Sequence, residues 1–250
     1  MLEVNEIFGP TIQGEGKLVG NPSVFVRFGN CNMSCEGFGV EYETPSGIKK
    51  FSCDSYYASD SSFKEQWNKY ESSKPLIEEV NKLLPSYLVD IVITGGEPLI
   101  YWKDIEFQKF LHYYISAGYK ITIETNASIS INLTQEWHKK ILFSMSVKLS
   151  NSGESLSKRI NINTLTNIIN LNNDSYLKFV VNKNSLDTAS IEIDDLLKQL
   201  PKCEVYLMPM GDSANDIDKN SLSVINLCLE KGFKYSDRLH IRVWNNKRGV

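Results

Sequence analysis

The chain has 250 residues, a formal net charge of −3 and 42% hydrophobic residues, which suits one α/β domain with a sizeable core. The slightly negative charge argues against a general nucleic-acid-binding protein, and no apolar run approaches the ~20 residues of a membrane span. We expect no secretion signal, because no basic region followed by an apolar core opens the chain. Five cysteines, an odd number, therefore fit thiols and metal ligands of a reducing cytoplasm better than disulfides.

Strand-like and helix-like segments alternate along the chain. The hydrophobic patterns predict strands over residues 22–28, 88–93, 119–124, 141–148, 176–181, 204–208 and 239–244. They predict helices over residues 74–84, 104–117, 134–140, 160–171, 188–200 and 219–231. This order predicts a parallel sheet with right-handed crossover helices. With no internal repeat and no long linker, residues 1–250 are expected to form a single domain.

Residues 36–72 interrupt this alternation and hold many Gly, Ser, Tyr and charged residues. Within them, Pro45-Ser46-Gly47 is a turn signal between two short strand-like pieces, which predicts a hairpin. A hairpin returns its ends to the same place. It is therefore able to carry Cys53 back beside Cys35 despite the 17 residues between them.

Three cysteines, Cys31, Cys35 and Cys53, are candidate metal ligands. Buried thiols are often ordinary core residues, but the Gly- and Asn-rich loop around Cys31 and Cys35 is poor core material. Cys203 and Cys228 are predicted to be core, and no histidine has ligand-like spacing to the other three cysteines. Three thiolates leave one coordination position open. This favours a 4Fe–4S cluster with a vacant iron, although the spacing alone leaves zinc open.

The second candidate motif is Thr94-Gly95-Gly96-Glu97-Pro98, which follows a predicted buried strand. Ligands of α/β proteins bind at the carboxyl ends of strands. Glycines at such a turn let the backbone approach a ligand closely. A Gly-Gly pair alone is equally typical of a tight strand-to-helix turn, so this motif gains weight only together with the cysteines.

Together the cysteines and the Gly-Gly-Glu-Pro turn resemble the radical S-adenosylmethionine (SAM) enzymes. That resemblance implies a partial (βα) barrel, a 4Fe–4S cluster on three cysteines and SAM on the fourth iron. The usual family spacing places two residues between the second and third cysteines, so residues 36–52 would be an insertion. Cys53 is the candidate third ligand, because one branch of the family follows its last cysteine with Asp-Ser or Asp-Thr, as in Asp54-Ser55 here.

A narrower resemblance to the 7-carboxy-7-deazaguanine synthase family covers most of the chain. The motifs that carry it are the segment 5–16 (Asn-Glu-Ile-Phe-Gly-Pro-Thr-Ile-Gln-Gly-Glu-Gly), Phe25-Val26-Arg27-Phe28, Cys53-Asp54-Ser55, Glu124-Thr125-Asn126 and the C-terminal 246–250 (Asn-Lys-Arg-Gly-Val). Ser146-Val147-Lys148 stands where that family usually has Ser-Pro-Lys.

The resemblance implies a set of site residues. The pterin substrate, 6-carboxy-5,6,7,8-tetrahydropterin, would be bound by Ile12, Gln13, Gly14, Glu15, Arg27, Thr94 and Val250. SAM would be bound by Asp54, Gly96, Glu97, Glu124, Asn126, Ser146 and Lys148, and Mg²⁺ by Ser55. Some of these residues also have a plainer interpretation. Arg27 pairs with an internal Glu or faces solvent, Lys148 is a surface lysine, and residues 12–14 are a solvated turn.

The implied reaction is radical abstraction of hydrogen from C6 of the pterin, ring contraction, loss of ammonia and formation of 7-carboxy-7-deazaguanine. The expected partners are an electron donor such as flavodoxin and a second copy in a homodimer, with no nucleic acid or membrane. Whether the product serves tRNA or DNA modification is left open by the sequence. Two alternatives also remain open at this stage: another radical SAM enzyme, such as a glycyl-radical activase, and a non-catalytic metal-binding module.

Overall fold

A computed structural model describes residues 1–250. Its strands are β1 (Leu2–Ile12), β2 (Pro22–Phe28), β3 (Val40–Glu43), β4 (Lys49–Ser52), β5 (Asn68–Tyr70), β6 (Asp90–Gly95), β7 (Ile121–Thr125), β8 (Ile141–Ser146), β9 (Tyr176–Val181), β10 (Glu204–Pro209) and β11 (Lys234–Tyr235). Its helices are α1 (Tyr56–Ser59), α2 (Ser73–Asn81), α3 (Ile105–Ser116), α4 (Leu156–Arg159), α5 (Ile162–Leu171), α6 (Leu186–Leu197), α7 (Ala214–Lys231) and α8 (Leu239–Trp244). None of these helices has the length and apolarity needed to cross a bilayer.

Nine strands form one sheet in the order β11-β10-β9-β8-β7-β6-β2-β1-β5. The seven strands from β2 to β11 in this order run parallel, whereas β1 runs antiparallel to both of its neighbours. The parallel strands read as continuous apolar runs because crossover helices cover them. All their carboxyl ends lie along one edge, which places the loops after them together. This confirms the predicted α/β class and parallel sheet.

The core packs the sheet against the crossover helices. Phe28 of β2 contacts two rings of α3 edge-on, with centroids 5.2 Å from Phe107 and 6.5 Å from Phe110. All three side chains are fully buried. The amphipathic pattern of α3 therefore fixes it over β2, and β2 leads directly into the Cys31 loop.

Two predictions of local structure were wrong. Residues 239–244 alternate apolar and polar like a strand, but they form α8, and the edge of the sheet is taken by Lys234–Tyr235 instead. The predicted helix 134–140 is a 3-10 turn over Glu136–Lys140. No strand was predicted for residues 2–12, but they form the long strand β1, which pairs with β2 on one side and with β5 on the other.

The segment 36–72 contains a hairpin, a short helix, two 3-10 turns and the edge strand β5. β3 and β4 pair in antiparallel register from Val40↔Ser52 to Glu43↔Lys49. A small aromatic cluster, separate from the main core, packs the hairpin against the rest of the segment. Its members are Tyr42, Phe63 and Trp67, with Tyr56 against them.

Candidate active site

A cavity of about 680 Å³ opens at the carboxyl edge of the sheet. The loops after β2, β6, β7, β8 and β10 line it, together with the end of the insertion and the C-terminal residues. Of the residues predicted for the site, all but Glu97 line this cavity: Ile12, Gln13, Gly14, Glu15, Arg27, Cys31, Cys35, Cys53, Asp54, Ser55, Thr94, Gly96, Glu124, Asn126, Ser146, Lys148 and Val250.

The three candidate cysteines border the same cavity although they come from two different loops. Burial raises the pKa of the Cys31 thiol, with the nearby Glu97 carboxylate adding to it, and burial raises the pKa of Cys35 to about 12. Negative charge on Cys53 acts in the same direction on both. Cys31 and Cys35 thus lie in a low-dielectric part of the cavity, where their thiolates are stable only with a cation. Cys203 and Cys228 lie outside the cavity.

The hairpin closes the gap between Cys35 and Cys53. The Oγ of Ser52, the last residue of β4, donates a 2.6 Å hydrogen bond to the carbonyl oxygen of Ser34. This bond joins the residue before Cys53 to the residue before Cys35. The Sγ of Cys53 also lies 3.7 Å from the Ser59 Oγ. The 17-residue insertion therefore returns the chain to its starting point, so that the residues preceding the two flanking cysteines are hydrogen-bonded to each other.

A carboxylate from a distant loop holds the Cys35 turn. Oε1 of Glu154 accepts hydrogen bonds from the backbone N–H of Ser34 (2.6 Å) and of Cys35 (3.0 Å), and Oε2 pairs with Lys158 at 2.7 Å. Burial acts against the carboxylate form, but these bonds outweigh it and lower the pKa of Glu154 to about 2. Cys35 itself adopts the left-handed conformation, with φ 51°. Glu154 thus fixes a backbone shape that would otherwise be strained.

The Gly-Gly-Glu turn packs directly on the cysteine loop. A Cβ on Gly95, whose φ is +139°, would lie 2.0 Å from the Phe28 carbonyl oxygen, and one on Gly96 would lie 2.1 Å from that of Asn30. Backbone N–H groups of Gly96 and Glu97 donate to these same two carbonyls, at 3.1 and 2.8 Å. The glycines therefore set the approach of the two loops, in addition to giving the cavity a flat wall.

Glu97 points away from the cavity and is fully buried. Its carboxylate accepts hydrogen bonds from the Thr125 hydroxyl (2.6 Å) and from the backbone N–H of Asn126 (2.7 Å) and Leu99 (3.0 Å). Burial raises its pKa, although these bonds favour the charged form. The structure thus makes Glu97 the link between the turn after β6 and the turn after β7, where Asn126 faces the cavity.

A second group of residues lies on the β1 side. Glu124 accepts hydrogen bonds from Gln13 Nε2 (3.1 Å) and Thr94 Oγ1 (2.9 Å), which fixes both side chains at the cavity wall. Arg27 pairs through Nε with Glu6 at 2.6 Å, so the internal glutamate considered as its plain partner is present. No hydrogen bond engages the two terminal nitrogens of Arg27, and its side chain borders the cavity.

Sequence reasoning missed a network of charges across the cavity. Glu15 accepts from Lys178 Nζ at 2.5 Å and Arg238 Nε at 3.0 Å, and Arg238 also reaches Asp54 at 2.6 Å and the Gly211 carbonyl at 2.5 Å. Burial opposes ionisation of Glu15, but Lys178 and Arg238 outweigh it and hold its pKa well below the usual range. Lys178 could have been found from the sequence, because it interrupts the apolar strand β9 as Arg27 interrupts β2.

The remaining predicted residues lie beside Asp54 and at the end of β8. Ser55 Oγ donates a hydrogen bond to Asp54 Oδ1 at 3.3 Å. Burial acts to raise the pKa of Asp54, but its ion pair with Arg238 outweighs burial and lowers that pKa. Lys148 Nζ bonds the carbonyl (3.1 Å) and hydroxyl (3.0 Å) oxygens of Ser146 and has no carboxylate partner. Lys148 is therefore able to take an anionic ligand within the cavity.

The donor set suits an iron–sulfur cluster. Three cysteines face one cavity, and the wall beside them is made of Gly96, Asn126 and Lys148, which leaves polar groups for a further ligand. No three His, Cys, Asp or Glu side chains converge closely enough to hold a single metal ion. In a 4Fe–4S cluster each cysteine binds a different iron, so the cysteine sulfur atoms around a cluster are further apart than those around a single metal ion. A parallel α/β sheet with this cysteine loop and Gly-Gly-Glu turn at its carboxyl edge defines a radical SAM enzyme.

Comparison with known proteins identifies the family within that class. The chain is 31% identical over 98% of its length to a 7-carboxy-7-deazaguanine synthase of Halobacterium salinarum, covering 91% of that protein. It is 32% identical over 95% of its length to the same enzyme of Rhodopirellula baltica, covering 85% of it. The chain therefore belongs to the 7-carboxy-7-deazaguanine synthase family.

Solved structures support the fold. The crystal structure of QueE from Escherichia coli matches with a TM-score of 0.66 at 21% identity, over 96% of this chain and 94% of that one. No family model matches the chain. The comparisons thus agree on the α/β architecture and, through the sequence relatives, on the family.

Proposed function

We propose that this protein converts 6-carboxy-5,6,7,8-tetrahydropterin to 7-carboxy-7-deazaguanine with loss of ammonia, as a radical SAM lyase of 7-deazapurine biosynthesis. The observation that carries the proposal is the family membership, which extends over 98% of the chain, combined with a cavity onto which all three candidate cysteines open. A glycyl-radical activase or a plain metal-binding module would share the cysteines, but neither is favoured by these relatives. We treat residues 1–250 as one catalytic domain with the irregular segment 36–72, which includes the 17-residue insertion 36–52.

The cofactors assigned to the site are a 4Fe–4S cluster and SAM, which together supply the carbon radical that takes hydrogen from the substrate. Cys31, Cys35 and Cys53 would hold the cluster. Asn126, Ser146 and Lys148 face the cavity beside them and would bind the polar groups of SAM, with the cation of Lys148 suited to a carboxylate. Glu97, with its buried contacts, would position Asn126 rather than touch SAM.

The pterin would lie on the β1 side. Glu124 holds Gln13 and Thr94 in place, and these three side chains present acceptors and donors to a flat ring edge. Arg27 would bind the substrate carboxylate through its terminal nitrogens, because its Nε is already engaged by Glu6. The charge network of Glu15, Lys178 and Arg238 makes that wall rigid and keeps the loop after β1 in place.

Three finer points complete the proposal. Mg²⁺ would be held by the Ser55 hydroxyl and substrate oxygens, with Asp54 in support, since Mg²⁺ takes few protein oxygens. An electron donor such as flavodoxin and a homodimeric assembly are expected partners. All five cysteines are free thiols, which favours a reducing cytoplasmic setting.

The test is an anaerobic assay of reconstituted protein with SAM, a reductant and 6-carboxy-tetrahydropterin. We expect 7-carboxy-7-deazaguanine to accumulate, followed by its ultraviolet absorbance and mass, with 5′-deoxyadenosine formed alongside. Protein that carries the cluster and cleaves SAM but leaves the pterin unchanged would overturn the proposed substrate. Protein that keeps one zinc per chain and no iron after reconstitution would overturn the enzyme class. Omitting Mg²⁺ or adding a chelator tests the metal separately.

A further inference from the structure

The C-terminal tail, residues 245–250, borders the cavity but is held by very few contacts. Its last backbone hydrogen bond joins the Lys247 N–H to the Trp244 carbonyl at 3.3 Å. Residues 245–249 are exposed, whereas Val250 is half-buried, so the end of the chain turns back towards the cavity. Something other than the backbone must therefore hold the last three residues in this position.

Among residues 246–250, Arg248 alone makes a side-chain hydrogen bond or a cation–π contact. Its guanidinium carbon lies 3.5 Å from the ring centroid of Tyr57 and 5.5 Å from that of Tyr56. Its Nη2 donates a 3.0 Å hydrogen bond to the Tyr56 hydroxyl. No carboxylate pairs with Arg248, so the contact is a cation–π interaction with both tyrosines together with one hydrogen bond.

The two tyrosines form a rigid platform. Tyr57 is only 8% exposed, and its carbonyl oxygen accepts a 2.9 Å bond from Trp67 Nε1. Tyr56 stacks on Tyr42 of the hairpin with centroids 4.3 Å apart and planes 13° apart. A fixed aromatic surface of this kind loses little conformational freedom when a flexible arginine settles on it. Both tyrosines lie in the irregular segment 36–72, directly after Cys53-Asp54-Ser55.

Tyr57 also connects the tail to the substrate side of the cavity. The guanidinium of Arg27 lies 5.8 Å from the same ring, so Tyr57 has two arginines near its ring. We propose that Arg248 is a positioning residue that fastens the C-terminal tail onto Tyr56 and Tyr57, so that Val250 lies over the pterin next to Arg27. This inference rests on the proposed function, because it assigns Val250 a place beside that substrate.

The first test measures tail anchoring without cofactor or substrate. Mass spectrometry follows the rate at which a carboxypeptidase releases Val250 from the folded protein and from a synthetic peptide of residues 245–250. The ratio of the peptide rate to the protein rate is the protection factor. We expect Arg248→Gln to lower the protection about tenfold, in the range of cation–π contacts. Arg248→Lys should keep part of the protection that Arg248→Gln loses. Tyr56→Phe should lower the protection less than Arg248→Gln does. Lys247→Gln, the matched control, removes a charge from the tail but no ring contact and should keep the protection.

The second test uses the assembled enzyme. We expect Arg248→Gln to raise KM for the pterin about tenfold and to raise the ratio of 5′-deoxyadenosine to deazaguanine, while SAM cleavage without pterin stays unchanged. Unchanged protection in Arg248→Gln would overturn the contact, and lost protection with unchanged KM and product ratio would overturn the positioning role. Wild-type protein that protects its tail but does not convert the pterin would support the contact and reject the proposed function, so the two failures are distinguishable.

Discussion

The two sides of the cavity differ in how their charges are compensated. On the side of Glu15, every buried charge has a partner: Lys178 and Arg238 pair with Glu15, and Arg238 also pairs with Asp54. On the cysteine side, burial raises the pKa of Cys31 and Cys35, and Lys148 has no carboxylate partner. The first side is electrostatically complete in the protein alone, whereas the second is suited to added iron and an anionic ligand.

The largest expected effect tests the cysteine side. Cys53→Ala should abolish assembly of the 4Fe–4S cluster, because two thiolates do not hold a cluster that needs three. Iron content and the visible spectrum after anaerobic reconstitution measure this. Cys203→Ala is the control, since Cys203 lies outside the cavity, and it should bind iron normally. Equal loss of iron in both variants would show that the wrong third ligand was chosen.

The next effect tests the compensated side. Glu15→Gln leaves Lys178 and Arg238 partly unpaired in a buried place, so we expect the free energy of unfolding to fall by about 3–5 kcal/mol. Urea denaturation of the cofactor-free protein measures it. Glu136→Gln breaks an exposed pair with Lys139 and should change the same quantity by less than about 1 kcal/mol. Similar values for the two variants would contradict a buried, coupled network.

The pH dependence of that difference sharpens the comparison. Lys178 and Arg238 hold the pKa of Glu15 below its ordinary value of 4.5, against the effect of burial. A carboxylate with a lowered native pKa stabilises the fold fully above its unfolded pKa, and this stabilisation is lost as the pH falls. The difference in free energy of unfolding between wild type and Glu15→Gln should therefore be constant from about pH 6 to 8 and shrink below about pH 4.5. A difference that widens as the pH falls would contradict a lowered pKa for Glu15 in the folded protein.

A smaller effect is expected at Arg27, on the β1 side of the cavity. Arg27→Ala should raise KM for the pterin about 10- to 100-fold, because hydrogen bonds to charged groups contribute roughly 1.5–3 kcal/mol. SAM cleavage without pterin should stay near the wild-type rate. Glu6→Gln keeps the guanidinium and an acceptor for its Nε and removes only the charge of the internal partner, so its KM should rise less. A defect confined to SAM cleavage would place Arg27 outside the substrate site.

The smallest effect concerns the turn at Cys35. Glu154→Ala removes the acceptor of two backbone N–H groups, so we expect about 1–3 kcal/mol less stability in the cofactor-free protein. Cluster yield on reconstitution should fall as well, because the turn carries a ligand. Glu154→Gln keeps one acceptor oxygen and should be milder in both measurements. No change in either variant would mean that the turn holds its shape without this carboxylate.

The sequence was a good guide where burial alone determines structure. β2 has the predicted bounds of residues 22–28, and α3 differs from its prediction by one residue at each end. No strand was predicted at β1, where pairing with strands on both sides, distant in sequence, decides the structure. α8 was missed because six residues of apolar alternation fit a strand as well as a short helix.

The same division holds within the site. The cysteines and the Gly-Gly-Glu turn could be found because the chemistry requires those residue types. Glu97 belongs to the same motif, yet its carboxylate is buried and accepts hydrogen bonds from backbone N–H groups. The spacing of the motif does not show in which direction this side chain points. Arg238 was missed for a different reason. It lies 184 residues from Asp54, and only the folded chain brings them together.

The hairpin within the insertion has a practical consequence for protein engineering. Its ends are tied by the Ser52 bond to Ser34, whereas its turn, Pro45-Ser46-Gly47, is exposed at the opposite end of the hairpin. Lengthening a loop whose ends are already fixed has a small entropic cost. A fluorescent or affinity tag spliced in after Ser46 should leave the iron content intact and give a handle for following the enzyme.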